Sequence, residues 1–322
     1  MNGVTGARPR YAFYGSGRFA ARCLELLTAW APPCWIVTAS PKEAGRGRKL
    51  SETPVAAFAR DCDALLEAPL LESATVSRDE AVLAMKRDAP VDFSFVIDFG
   101  QIVREPILEW ESRVGCLNIH PSLLPRYRGA TPVQRALMDG LETTGVTIFK
   151  LADGVDCGPI LLQKEVAVAP EDDAGMLLER CACVGVAAFI EYVAGNPFSD
   201  WHFREQDETA ATYAPKISPD EERIDWSASA EEILGRVRAL SPRPGAWTTI
   251  QGKRLRVISM SIPGGDVGTL MPGELAAKSK EPLVGTGSEC VTLVSVQMEG
   301  KKIQSAAQWW NGFRAAEGAF FI

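Results

Sequence analysis

The sequence predicts an α/β protein in which a parallel β-sheet covered by helices is followed by a small β-barrel. In the first half, unbroken apolar runs alternate with helical patterns, which is typical of strands that are buried on both faces. In the C-terminal third, short strands follow one another closely, separated by Gly and Pro turns. The chain of 322 residues is also longer than a usual single domain.

The elements of the first half follow from apolar runs and helix signals. Strands are predicted at 11–14, 35–38, 93–97, 114–119, 146–151 and 160–168, and helices at 19–30, from 53 onward and at 173–194. The second of these helices has a clear start, because Thr53 suits an N-cap and Pro54 the first helical position. The remaining connections are rich in Gly and Pro and read as turns.

The domain boundaries are expected near residue 200. Gly195-Asn196-Pro197 ends the long helix, and the polar residues that follow indicate a linker. We therefore expect an N-terminal α/β domain over 1–194, a linker over 195–211 and a C-terminal β-barrel over 212–322. In the last of these, the Ser and Glu residues of 227–232 cap a helix that runs to Leu240. Strands are predicted there at 246–250, 255–260 and 291–297.

Composition argues against several classes of protein. No apolar run approaches the roughly 20 residues that span a bilayer, and the N-terminus lacks the apolar core of a signal peptide, so we expect a cytoplasmic protein. The net charge of −7 argues against indiscriminate binding of nucleic acid. The eight cysteines form no C-x-x-C pair and only two histidines accompany them, so we expect reduced thiols and no metal site.

His120 is the candidate for acid–base chemistry. It stands with Asn118 at the end of an apolar strand, and residues at i and i+2 share one face of a strand. A Pro-rich turn follows and leaves the pair at the carboxyl edge of the sheet, where α/β proteins bind ligands. The other histidine, His202, is flanked by Trp201 and Phe203 and is expected to pack against them.

A second motif allows two interpretations. Gly15-x-Gly17-x-x-Ala20, between a strand and a helix, fits the dinucleotide-binding fingerprint. The strand at 35–38 offers no acidic residue where the fingerprint needs one for NAD, although Lys42 and Arg46 could bind the 2′-phosphate of NADP. A reductase therefore remains an alternative, while a tight turn that lets the helix pack on the sheet is the simpler interpretation.

Three further segments carry charged residues. Residues 41–50 contain four bases, one acid and two glycines, which fits either a solvated loop or a flexible basic finger that contacts phosphates. Asp98-Phe99-Gly100 is like the kinase metal-binding triplet, but the other kinase motifs are missing, so Asp98 is left as a residue at a strand end that can line a pocket. Asp156 lies in a Gly-rich turn, where the local sequence favours a turn role and suits the neighbouring Asp153 better.

Taken together, these motifs resemble the folate-dependent formyltransferase family. The resemblance rests on the order and spacing of Asn118-x-His120, Ser122-Leu-Leu-Pro125, Arg128-Gly129-Ala130-x-Pro132, Thr144-Gly145-Val146-Thr147 and Asp156-x-Gly158. It implies a Rossmann-like catalytic domain, an OB-like barrel, and formyl transfer from 10-formyltetrahydrofolate to an amine. In this family the catalytic trio is an Asn, a His and a later Asp, here Asn118, His120 and Asp156.

Within the family, the chain is most similar to the branch that formylates methionine carried on initiator tRNA, a reaction of one-carbon metabolism that serves translation initiation. The similarity runs nearly end to end and includes the basic residues 44–50, Thr212-Tyr213-Ala214 and Arg223-Ile224-Asp225-Trp226. It implies the following contacts. Folate contacts are expected from Asp98, Phe99, Gly100, Ser122, Leu123, Leu124 and Pro125. Contacts to tRNA are expected from Lys42, Arg46, Arg48, Lys49, Lys301 and Lys302.

The chain departs from the family pattern at two places near the expected folate pocket. Family members usually carry Gly-Thr-Pro where this chain has Gly15-Ser16-Gly17, and a small residue plus Tyr where it has Asp98-Phe99. The resemblance implies no metal and no protein partner, and we expect a monomer. Three other functions stay open: formylation of a nucleotide-linked amino sugar, folate or RNA binding without catalysis, and the NADP reductase.

Overall fold

The computed structural model describes residues 9–44, 49–104, 107–108, 113–265, 267–276, 281–313 and 319–322. The chain divides into two compact units whose boundaries do not follow the order of the chain. The first unit takes in the chain up to Arg128, then Gly145–Val166 and Leu178–Tyr213. The second takes in Gly129–Thr144, Ala167–Leu177 and the chain from Ala214 onward. Residues 195–211, expected to be a linker, thus belong to the first unit.

A seven-stranded sheet forms the first unit, and the apolar runs predict six of its strands, all but β5. The strands up to residue 167 are β1 (Tyr11–Gly15), β2 (Trp35–Ala39), β3 (Lys42–Ala44), β4 (Lys49–Ser51), β5 (Leu70–Ser73), β6 (Phe93–Ile97), β7 (Gly115–His120), β8 (Thr143–Lys150) and β9 (Ile160–Ala167). The sheet order is β5-β2-β1-β6-β7-β8-β9. Strands β5, β2, β1, β6 and β7 run parallel, and β8 is antiparallel to β7. The short strands β3 and β4 form a separate hairpin.

The helices over the same stretch are α1 (Arg18–Trp30), α2 (Pro54–Asp61), α3 (Glu80–Asp88), α4 (Pro132–Met138) and α5 (Ala174–Gly195). Helices lie on both faces of the sheet, because its strands are apolar on both. On one face Phe95 packs against Phe189 of α5, with ring centroids 4.9 Å apart. On the other, the buried Tyr14 and Val37 belong to a cluster with Val82 of α3. The predicted cap of α2 is present, since the Thr53 hydroxyl accepts a hydrogen bond from the Ala56 amide.

An antiparallel sheet and two helices form most of the second unit. Its strands are β10 (Ala246–Ile250), β11 (Lys253–Ser261), β12 (Leu275–Ala276), β13 (Leu283–Gly285), β14 (Cys290–Met298) and β15 (Gln304–Ser305), and its helices α6 (Ala230–Leu240) and α7 (Ala306–Phe313). The strand order is β10-β11-β14-β13-β12, with β15 also paired to β14. The predicted capping box of α6 is formed by Ser229 and Glu232. Trp226 stacks on Phe321 in the core at 5.2 Å.

The structure also shows the state of the cysteines and the character of the helices. All eight cysteines are free thiols, and Cys23, Cys116, Cys181 and Cys290 are buried. Among the described residues, no helix combines the length and the apolar character needed to cross a membrane.

Candidate active site

His120 lies at the end of β7 and is almost fully buried, with 4% of its surface exposed. Its Nε2 atom is 2.9 Å from the carbonyl oxygen of Tyr127. A carbonyl can only accept a hydrogen bond, so we assign the permanent proton of the ring to Nε2, which donates to this oxygen. The proton that the imidazole can gain or lose is therefore on Nδ1.

Asp156 faces that second nitrogen. Its Oδ2 atom is 3.6 Å from Nδ1 of His120. The separation exceeds that of a full hydrogen bond, but it is within the distance of an ion pair. An Nδ1–H group is thus not bound tightly by Asp156 and can be donated to a ligand atom.

The loop that carries Asp156 has a constrained backbone. Asp156 has a φ of +48°, in the left-handed region that few non-glycine residues adopt. Two residues later, a Cβ atom on Gly158 would lie 1.9 Å from the carbonyl oxygen of Lys150, so only glycine fits. The spacing Asp156-x-Gly158 therefore has a steric reason: the glycine lets the loop pass close to the end of β8.

Asn118 lies two residues before His120 on β7, and the register pairs it with Phe149 of β8. Its side chain is partly exposed. Within the described part of the chain, no hydrogen bond engages its amide group. Asn118 and His120 share one face of the strand, as the i, i+2 spacing predicts, and both can address the same ligand.

The turn after β7 is held by polar side chains from β8 and β9. The buried Thr147 hydroxyl donates to the carbonyl oxygen of Ser122 at 2.6 Å and accepts from the Leu124 amide at 3.0 Å. Gln163 donates to the carbonyl oxygen of Leu124 at 2.8 Å. Since these bonds fix the turn, they also fix Tyr127, whose carbonyl orients His120.

The residues expected to contact folate occupy different environments. The Ser122 hydroxyl donates to the carbonyl oxygen of Arg126 at 2.7 Å, and Leu124 packs with Phe149. Phe99 is buried against Tyr14. Gly100 is exposed, with open space around it. The remaining three, Asp98, Leu123 and Pro125, keep exposed or partly exposed surface.

The two departures from the family pattern meet in the structure. A Cβ atom on Gly17 would lie 1.7 Å from the Asp98 carboxylate, so a residue larger than glycine at position 17 is incompatible with this position of Asp98. The Asp98 carbonyl also accepts hydrogen bonds from the Ser16 and Gly17 amides, at 3.1 and 2.9 Å. Gly17 and Asp98 therefore constrain each other where the ends of β1 and β6 meet.

The Asp98 carboxylate faces the Phe19 and Ala20 amides at the start of α1, which favour its charged form. Those amides would bind the phosphate of a dinucleotide in a fingerprint turn, so the carboxylate takes that place. The crowding of protein atoms around it raises the pKa of Asp98 to about 6, although the two amide donors oppose the rise. The residue as a whole nevertheless keeps exposed surface.

The basic segment 41–50 contains the β3–β4 hairpin. Lys42 is exposed on β3, and Lys49 begins β4. Arg46 and Arg48, the other two bases expected to contact tRNA, lie outside the described residues. In the second unit, Lys301 and Lys302 are both exposed in the turn after β14.

Two side chains at the site were not singled out from the sequence. Arg128 has only 2% of its surface exposed, and its guanidinium donates to Gln206 and Glu208. Gln206 in turn donates to the carbonyl oxygens of Asp156 and Gly158. The Arg128-Gly129 motif marks the first of them, whereas no local pattern marks Gln206.

A metal site would need several ligands close together. Among the described residues, no group of three or more His, Cys, Asp or Glu side chains lies where it could hold a metal ion.

Comparison with known proteins relates this geometry to a family. Residues 20–193 match the family described as "Formyl transferase", and residues 216–314 match "Formyl transferase, C-terminal domain". A relative named methionyl-tRNA formyltransferase, from Thermobifida fusca, is 36% identical over 97% of this chain and 99% of its own length.

Solved structures share the fold at lower identity. The N-formyltransferase from Helicobacter canadensis, in complex with folinic acid and dTDP-3-aminofucose, has a TM-score of 0.62 at 15% identity, over 90% of this chain and 99% of that one. Methionyl-tRNA formyltransferase from Clostridium thermocellum has a TM-score of 0.56 at 14% identity, over 80% of this chain and 95% of that one.

Proposed function

Since the chain belongs to the formyl transferase family, we propose that it transfers the formyl group of 10-formyltetrahydrofolate to the α-amine of methionine on initiator tRNA. The products are N-formylmethionyl-tRNA and tetrahydrofolate, and the reaction serves translation initiation in the cytoplasm. Relatives with the methionyl-tRNA name match at 36% identity over nearly their whole length. We assign catalysis to the N-terminal domain, and tRNA contacts to the basic segment 41–50 and to the C-terminal domain.

The observation that supports this proposal is the pair of His120 Nδ1 and Asp156 Oδ2, 3.6 Å apart, with Asn118 two residues before His120 on β7. The amine attacks the formyl carbon, and negative charge develops on the formyl oxygen. The Asn118 amide and the Nδ1–H of His120 can donate to that oxygen. Loss of one such donor typically costs about 3–4 kcal/mol of transition-state stabilisation.

Proton transfer completes the reaction without a covalent intermediate. As the new C–N bond forms and the bond to the folate nitrogen breaks, the amine loses a proton and the folate nitrogen gains one. The Asp156 carboxylate stabilises the protonated imidazole and, through a water molecule, can carry the proton between the two nitrogens. The Nε2–H bond to Tyr127 holds the ring in place throughout.

Substrate contacts are proposed from the residues that the resemblance implies. Asp98 and Gly100 at the end of β6, with Leu123 and Pro125 in the turn after β7, present accessible surface for folate. Phe99, Ser122 and Leu124 would support that pocket from within. For tRNA, we propose Lys42, Arg46, Arg48 and Lys49 in the basic segment, and Lys301 and Lys302 in the second unit. The enzyme is proposed to act as a monomer.

A second candidate acceptor is a nucleotide-linked amino sugar. The Helicobacter canadensis structure, determined with such a sugar, and the Clostridium thermocellum methionyl-tRNA enzyme both resemble this chain in fold. Both likenesses show the fold alone. The basic segment 41–50 and the C-terminal domain favour the tRNA acceptor.

One assay distinguishes the tRNA acceptor from the amino-sugar acceptor. Purified protein is incubated with 10-formyltetrahydrofolate and either methionine-charged initiator tRNA or a UDP-4-amino sugar. We expect formyl-methionyl-tRNA, with kcat reduced about 100- to 1,000-fold in His120→Ala, Asn118→Ala or Asp156→Ala. His202→Ala, in the other histidine, is the control and should keep kcat. Formylation of the sugar alone would contradict the acceptor, and near-normal turnover of His120→Ala would contradict the mechanism.

A further inference from the structure

Residues 204–213, here called the 204–213 segment, connect the two groups that contact His120. The Thr212 hydroxyl accepts a hydrogen bond from the Tyr127 amide, and the Thr212 carbonyl accepts one from Arg128, both at 2.8 Å. Tyr127 is the residue whose carbonyl fixes Nε2 of His120. The segment therefore holds one side of the imidazole.

On the other side of the imidazole, the same segment holds the loop of Asp156. The Gln206 Nε2 atom donates to the carbonyl oxygens of Asp156 and Gly158, at 2.8 and 2.7 Å. Its Oε1 atom accepts from Nε and Nη2 of Arg128, at 3.0 and 2.8 Å. The amide orientation is dictated by its partners, since a guanidinium only donates and a carbonyl only accepts.

Arg128 is itself fixed. Buried arginines are rare unless they are paired, and this one also donates from Nη1 and Nη2 to the Glu208 carboxylate at 2.8 and 2.7 Å. With Glu208 and Gln206 as its acceptors, the guanidinium has no freedom to swing away. It therefore holds the Gln206 amide with its donors toward the loop.

The backbone angles next to His120 show why these hydrogen bonds are needed. Tyr127 and Asp156, the two residues that contact the ring nitrogens of His120, both have left-handed φ angles, of +60° and +48°. L-residues adopt this region at a cost and keep it only where surrounding bonds hold them. The 204–213 segment supplies bonds to both residues.

We propose that Gln206, oriented by Arg128, is a positioning residue that sets the distance between the Asp156 carboxylate and Nδ1 of His120. This inference rests on the proposed function, because formyl transfer is one of its readouts. Gln206 touches neither substrate nor the reacting atoms in this scheme. It acts through Asp156, so its effect should disappear once Asp156 is removed.

The test is Gln206→Glu, which keeps the acceptor for Arg128 but places an oxygen against the two carbonyls. We expect kcat to fall about 10- to 100-fold while KM for tRNA stays within about two-fold. Gln297→Glu is the matched control, since Gln297 also accepts from an arginine and donates to a carbonyl, but in the second unit. Its kcat should be unchanged.

A double-mutant cycle distinguishes positioning from general damage. In single-turnover assays, Asp156→Ala and Asp156→Ala/Gln206→Glu should have equal rates within about two-fold, because the second change acts only through the first. A further loss in the double variant would overturn the proposal. If Gln206→Glu unfolds at the assay temperature, Gln206→Leu removes the same bonds without adding charge and enters the same cycle.

A spectroscopic readout does not depend on activity. The chain has two histidines, so a ¹⁵N spectrum of the imidazoles contains His120 and, as an internal reference, His202. In Gln206→Glu the Nδ1 signal of His120 should move toward its position in Asp156→Ala, with His202 unchanged. An unmoved signal would overturn the positioning role. A wild-type protein that does not formylate tRNA would instead overturn the proposed function, and the spectra would still decide the role of Gln206.

Discussion

Replacing Asp98 with asparagine should stabilise the protein at neutral and alkaline pH. The pKa of Asp98 is raised from 3.8 to about 6, first because protein atoms crowd the carboxylate and exclude water. The charged form is therefore the less favourable one in the folded state. Asparagine has the same shape and keeps an oxygen that can accept from the Phe19 and Ala20 amides, but it carries no charge.

The size of the gain in stability follows from the pKa shift of Asp98. Two pH units correspond to about 3 kcal/mol, but solvent reaches Asp98, so screening reduces the expected gain to about 1 kcal/mol. The direction of the effect follows from the coupling of protonation to folding. Because the pKa of Asp98 is higher in the folded state, its contribution to stability is fully present below the unfolded pKa of about 4 and is lost as pH rises through about 6. The advantage of Asp98→Asn should thus be full at pH 8 and shrink between pH 6 and pH 4.

Urea denaturation at pH 8, 6.5 and 5 measures this difference. Asp207→Asn is the control of opposite sign in the same unit, because hydrogen bonds from the Thr209 hydroxyl and amide lower the pKa of Asp207. At pH 8, Asp207→Asn should be no more stable than wild type. An Asp98→Asn protein that is no more stable than wild type at pH 8, or a difference that does not change with pH, would refute the reasoning.

Three further changes test other parts of the structure. Gly158→Ala places a Cβ 1.9 Å from the Lys150 carbonyl, so both kcat and the urea midpoint should fall, by about 1–3 kcal/mol for stability; an unchanged midpoint would contradict the close approach. Thr53→Ala removes the cap of α2 and should cost about 1 kcal/mol in urea denaturation, with kcat unchanged. The double variant Lys301→Ala/Lys302→Ala should raise KM for tRNA. The slope of log KM against log salt concentration should fall by about 0.7–0.9 per lysine; an unchanged slope would show that neither lysine contacts phosphate.

Sequence reasoning predicted the elements that depend on local patterns. The buried strands of the first unit follow from apolar runs, and the α2 cap at Thr53 and the α6 capping box follow from residue type and spacing. Asn118 and His120 lie where strand geometry puts them, because the side-chain period of a strand and the end of an apolar run are both visible in the chain.

The partner of His120 was not visible in the same way. Read locally, Asp156 is a turn residue, and Asp153 beside Gly154 fits a turn better. What brings Asp156 to Nδ1 of His120 is the close approach of its loop to β8, which depends on Gly158 and on tertiary structure. Only the resemblance to a family identified this residue beforehand.

The 204–213 segment shows a more general limit. It has no apolar periodicity and few buried side chains, so by composition it resembles a linker. Its bonds run from polar side chains to backbone groups, at sequence separations of 50 for Gln206 with Asp156 and 85 for Thr212 with Tyr127. Backbone amides and carbonyls leave no mark in the sequence, because almost every residue offers both. A polar segment that braces a site therefore looks the same as one that merely joins two domains, until the partners of its side chains are known.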